Sequence, residues 1–145
     1  MDKHYDHTQC EHKIYQLWES LESFNPDSKL NSANKKETQN EPFTIIMPPP
    51  NANDPLHVGH AMFVTIEDIL IRYHRMLGDD TLWLPGTDHA GIETQFVFEK
   101  KLQKKDQSRF NFDRETLYKM IWDYVQENSD TSINQMKKLG ASADW

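Results

Sequence analysis

Pro48-Pro49-Pro50-Asn51-Ala52-Asn53-Asp54-Pro55-Leu56-His57-Val58-Gly59-His60-Ala61, followed downstream by Gly86-Thr87-Asp88-His89-Ala90-Gly91, is the part of this chain from which the fold can be argued. Residues 43–47, just upstream, form a short apolar, β-branched run that suits a buried strand. Three prolines end it, because they donate nothing to a ladder and force an extended exit. Asp54 stands where an N-cap belongs and Pro55 where the first helical residue belongs. A helix is therefore expected from about Pro55, with His57 in its first turn. His60 follows one position short of a full turn, which sets two imidazoles near the positive end of that helix, where unsatisfied N–H groups favour anions. Gly59 between them leaves bare backbone, against which a planar base can lie.

The rest of the chain supplies the frame. Residues 5–24 carry Ile14, Leu17, Trp18 and Leu21 at helical spacing, with Thr8 and Glu11 placed as a capping box. Residues 25–41 hold only Leu30 and Ala33 as apolar residues among Asn, Ser, Lys and Gln, and are expected to be a mobile linker. The helix opened near Pro55 should run to Leu77, with Met62, Ile66, Ile69, Leu70, Tyr73 and Met76 on one side and Gly78 as its stop. Residues 81–84 suit a second strand and 92–104 a helix. A long helix is expected from about Asp113 to Leu139, with Leu117, Ile121, Tyr124 and Val125 inward and Gly140 ending it. Alternating strand and helix gives an α/β fold with a parallel sheet of the doubly wound kind, in which ligands bind beyond the carboxyl ends of the strands. Both opening blocks follow such ends.

The charge is −7, from 16 Lys and Arg against 23 Asp and Glu, so the chain offers no basic footprint for a polyanion. No apolar run approaches membrane-spanning length, the N-terminus has no signal-peptide core, and the single cysteine, Cys10, agrees with a reducing compartment. A cytoplasmic location is expected.

His57-Val58-Gly59-His60, after a strand and opening a helix, resembles the His-x-Gly-His signature of class I aminoacyl-tRNA synthetases and the related nucleotidylyltransferases. The flanks narrow it. Pro48-Pro49-Pro50-Asn51 and Gly86-Thr87-Asp88-His89-Ala90-Gly91-Ile92 are similar to the valyl-tRNA synthetase family rather than to its isoleucyl or leucyl relatives. The resemblance runs from about Tyr5, through Leu17-Trp18-Glu19, to Leu139-Gly140-Ala141-Ser142-Ala143-Asp144-Trp145. It implies an N-terminal helix (1–24), the polar linker (25–41) and, over 42–145, the first half of a Rossmann-like class I catalytic domain. The family pattern continues into an editing insertion, the second half of the catalytic domain, with its Lys-Met-Ser-Lys-Ser loop, and an anticodon-binding region. Two strands are also too few to close off such a core. The chain is therefore expected to be the N-terminal part of a longer enzyme and incomplete for catalysis alone.

The resemblance further implies ATP-dependent activation of valine to valyl-adenylate and transfer to tRNA(Val), with most tRNA contacts outside these residues. His57 and His60 would be the catalytic pair and, with Gly59, the ATP-binding residues. The imidazoles would hydrogen-bond phosphate oxygens, with no general base required, because a carboxylate is already a nucleophile. Gly59 would pack on adenine. Asp88 would take the substrate ammonium, Asn51 would accept a hydrogen bond from the same group, and Pro48 and Pro49 would wall a small aliphatic pocket. Mg²⁺ is expected with ATP, held by its phosphates rather than by a carboxylate cage. Asn53-Asp54-Pro55 departs from the family's usual Thr-Gly-Ser type of turn, and Asp54 is expected to cap the helix with a stiffer entry.

Other assignments compete. Two histidines at a helix start could equally be ordinary surface residues, and only the flanking blocks weigh against that. An isoleucyl-type synthetase, or a catalytically inactive nucleotide-binding fragment, stays open beside the valine assignment. The His4, His7, Cys10, His12 cluster has spacing that could suit zinc but reads better as a solvated terminus, so no metal ligand is assigned. His74 is expected at the surface and Trp83 and Trp122 in the core. Lys100, Lys101, Lys104 and Lys105 are expected on a solvated helix end.

Overall fold

The computed structural model describes residues 4–28, 41–88 and 91–145. The part of the expected linker at 29–40 lies outside them. Helix α1 spans His7–Ser20 and is capped by Asp6, whose carboxylate accepts from the Thr8 N–H at 3.0 Å and the Thr8 hydroxyl at 2.6 Å. The expected Thr8 and Glu11 box is displaced because a carboxylate two residues earlier is the stronger acceptor.

Two compact units follow from the contacts: Met1–Pro48, Ala61–Pro85 and Met136–Trp145 form the first, and Pro49–His60 and Gly86–Gln135 the second. In the first unit, strands β1 (Pro42–Ile46) and β2 (Asp80–Leu84) pair in parallel, with Phe43 opposite Thr81 and Ile45 opposite Trp83. Met47 extends the ladder by donating its N–H to Leu84 O at 2.9 Å. β1 alternates rather than being buried throughout, and Ile46 is 71% exposed. The two helices that follow these strands are α2 (Val58–Leu77) and α3 (Gly91–Gln103). The side of α2 bearing Met62, Ile66, Ile69, Leu70, Tyr73 and Met76 is exposed; the helix buries Val64 and Ile71 instead. Gly78, at φ +93°, ends α2 with Asp79 N–H reaching back to His74 O at 3.1 Å, a turn that disfavours a side chain at that glycine.

α1 turns a different face inward from the one its aliphatic spacing suggests. Ile14, Leu17 and Leu21 are exposed, whereas Tyr15, Trp18 and Phe24 pack with ring centroids 5.8 to 6.0 Å apart. Aromatic rings bury more area, and Tyr15 also gains partners: its hydroxyl donates to Ala141 O and accepts from Trp145 Nε1, both at 2.7 Å. Burial raises its pKa to about 12.

The segment after Leu139 is held by charge. Asp68 accepts from the Ser142 N–H at 2.9 Å and from its hydroxyl at 2.5 Å, and Arg72 donates to Gly140 O at 2.8 Å. Arg75 donates to Ser142 Oγ at 2.6 Å, Ser142 O at 2.8 Å and Phe24 O at 3.2 Å. Burial lowers the Arg75 pKa to about 10, which leaves it a full cation at neutral pH. Trp83 is fully buried, as expected, and donates to Glu67 at 3.0 Å. Trp122 is not core but 48% exposed. His74 is drawn in from the surface, stacked on Phe43 at 3.5 Å and bonded to Asp79 at 2.7 Å.

In the second unit, α3 packs Phe98 and Leu102 against Tyr124 of α4 (Arg114–Leu139), with Val97, Phe112, Leu117, Met120 and Ile121 around them. Asp113 caps α4 through Thr116 N–H at 2.9 Å, and Gly140, at φ +90°, ends it.

Candidate active site

α2 starts at Val58, later than the expected Pro55. The reason is tertiary: Leu56 N–H is held by Gln135 Oε1 at 2.8 Å, which keeps the preceding turn out of the helix. His57 thereby takes the N-cap position expected for Asp54, which is left exposed. His57 Nδ1 accepts from Gly59 N–H at 3.1 Å, while the His57 N–H donates to His60 Nδ1 at 3.2 Å. This is the reciprocity of a capping box, with imidazoles in the places where Ser and Glu usually stand.

That cap has a chemical consequence. A ring nitrogen that accepts carries no proton, so each neutral imidazole keeps its proton on Nε2 and each Nε2 is a donor. The rings lie 4.0 Å apart at 48°, at a helix end that already favours anions. Burial first, and the neighbouring His57 second, lower the His60 pKa from 6.5. Gly59 is needed for this packing: a Cβ there would lie 2.9 Å from His57 Cε1 and 3.0 Å from its Nδ1.

The second half of the site is a backbone bridge. Asn51 and Asp88 pair in parallel, with Asp88 N–H donating to Pro50 O at 2.9 Å and Ala52 N–H to Asp88 O at 3.0 Å. Residues paired in a ladder carry their side chains on the same face, so two groups expected to serve one ligand are brought together by main-chain bonds. Asn51 Nδ2 also donates to Glu93 Oε2 at 2.9 Å. α4 holds both loops: Tyr124 donates its hydroxyl to Asn53 O, and Thr87 and Ser129 share a hydroxyl bond at 3.0 Å.

Pro49, Asn51, His57, Gly59, His60 and Asp88 all belong to the second unit, and Pro48 to the first. Pro48 and Pro49 are exposed, and it is Pro50 that is buried. His89 lies outside the described residues. The contacts of Glu93, Tyr124, Ser129 and Gln135 with the two loops escaped the sequence reading, which had Tyr124 only as an inward-facing residue, because their partners are 42 to 79 residues away and no local pattern carries such contacts. Among the described residues no three His, Cys, Asp or Glu side chains converge to hold a metal ion.

Residues 13–145 match the family model for tRNA synthetases class I (I, L, M and V). The chain is 43% identical over all its 145 residues to a valine--tRNA ligase of Treponema denticola, covering 15% of that protein. It is 49% identical over 135 residues, 93% of the chain, to valine--tRNA ligase, chloroplastic/mitochondrial 2, of Arabidopsis thaliana, covering 13% of it. A valine--tRNA ligase of Legionella pneumophila is 44% identical over the whole chain. The chain therefore spans about one seventh of the length of these relatives.

Proposed function

This chain belongs to the class I tRNA synthetases (I, L, M and V), and we propose that it supplies part of the ATP subsite and part of the amino-acid subsite of a valine-activating site. The observation that carries the proposal is the imidazole cap, which turns His57 and His60 into two Nε2 donors at one helix end.

In the reaction, the valine carboxylate attacks the α-phosphate of ATP and pyrophosphate leaves. Charge builds on the phosphate oxygens, and prepositioned donors at a helix N-terminus stabilise it without reorganising. Gly59 gives adenine a surface free of side chain. Asp88 takes the valine ammonium, Asn51 accepts from it, and Pro48 and Pro49 wall the aliphatic side chain. Transfer to tRNA(Val), Mg²⁺ carried on the ATP phosphates and a cytoplasmic setting are parts of the same proposal. The names of the relatives support valine over isoleucine.

Calorimetric titration of the complete protein carrying this sequence with a non-hydrolysable valyl-adenylate analogue, beside the isoleucyl analogue, tests it. The valyl analogue should bind at least tenfold tighter, and His60→Ala should weaken it. Preference for the isoleucyl analogue, or no difference in His60→Ala, would refute the assignment.

A further inference from the structure

We propose that Glu93 is a positioning residue of the amino-acid pocket, fixing the Asn51 amide so that its oxygen and not its nitrogen meets the substrate ammonium. This rests on the reading above that Asn51 and Asp88 receive that ammonium. An ionised carboxylate can only accept, so at 2.9 Å from Glu93 Oε2 the Asn51 side chain must present its NH₂ to Glu93 and turn Oδ1 away. A primary amide has two nearly isosteric faces. An unrestrained Asn51 would offer the ammonium a donor, which repels it, about as readily as an acceptor.

The Asn51 backbone is fixed in the bridge to Asp88, leaving the two side-chain torsions as the variables that the bond to Glu93 sets. Glu93 lies in the first turn of α3, where a carboxylate is well placed against the helix dipole.

The test measures valine-dependent pyrophosphate exchange in the complete protein carrying this sequence, for wild type, Glu93→Ala, Glu93→Gln, Asn51→Ala and Asn51→Ala/Glu93→Ala. Glu93→Ala should raise KM for valine about tenfold, with KM for ATP and kcat changed less than twofold. Glu93→Gln retains a carbonyl acceptor for Asn51 and should return KM for valine to within threefold of wild type. In the Asn51→Ala background, Glu93→Ala should add less than twofold, since its effect runs through the amide. The Asn51 side-chain amide protons should exchange slowly with solvent in wild type and Glu93→Gln, and fast in Glu93→Ala, with no substrate present. An unchanged KM for valine in Glu93→Ala, an equal rise in both KM values, or a full tenfold effect without Asn51 overturns the proposal alone. Absence of valine-dependent exchange in wild type overturns the reading of the site, and the proposal with it.

Discussion

His57 and His60 cap one helix end through each other: the main-chain N–H of His57 donates to His60 Nδ1 at 3.2 Å while the two rings lie 4.0 Å apart. Structure and chemistry therefore share the same side chains, and substitution can separate them. His57→Asn keeps an oxygen able to accept from Gly59 N–H but has no Nε2. It should hold folding stability to within roughly 0.5 kcal/mol, whereas His57→Ala should lose about 1 kcal/mol. Both should lower exchange activity by about a hundredfold, the usual cost of one lost donor to a developing anion. Urea melts beside exchange rates check the split.

Burial of His60, and next the neighbouring His57, make stability depend on pH. The His60 pKa is lowered below 6.5 in the fold, so between that lowered value and 6.5 the unfolded chain binds the extra proton. The contribution is complete above pH 6.5 and is lost as pH falls through the lowered value. Melting temperature should therefore drop between pH 7 and pH 5, and drop less in His60→Gln. An identical slope in the variant would refute the linkage.

Gly59→Ala places a Cβ 2.9 Å from His57 Cε1, which obliges that ring to move. The exposed ring can move, so the fold should survive. The His57 bond to Gly59 N–H should not, and exchange activity should fall at least tenfold. Circular dichroism with exchange kinetics distinguishes this from unfolding.

Arg75 is the stability prediction. It makes three charge-assisted hydrogen bonds to Ser142 and Phe24 from a partly buried position. Arg75→Ala should cost about 3 kcal/mol, because the carbonyl acceptors are left buried without donors, and Ser142→Ala about 1 kcal/mol or more. Denaturant unfolding measures both.

Much of this was legible in the sequence because local rules govern it. Gly78 and Gly140 end their helices where expected, at positive φ, and Asp113 begins one. The parallel pairing of the two strands also agrees with expectation. The misses have tertiary causes. Asp54 looked like the cap, but Gln135, distant in sequence, holds Leu56 and moves the helix start to Val58. Ile14, Leu17 and Leu21 looked like the inner face of α1, but Tyr15 has partners at Ala141 and Trp145 that periodicity cannot reveal. Glu93 looked like an ordinary first-turn acid, with nothing nearby to link it to Asn51.

Exchange of labelled pyrophosphate into ATP, driven in parallel by valine, isoleucine and threonine in the complete protein carrying this sequence, tests the central claim most directly. Exchange should be fastest with valine, weaker with threonine and isoleucine, and lowered about a hundredfold or more by His60→Ala. Exchange driven best by isoleucine, or valine-driven exchange left unchanged by His60→Ala, would contradict it.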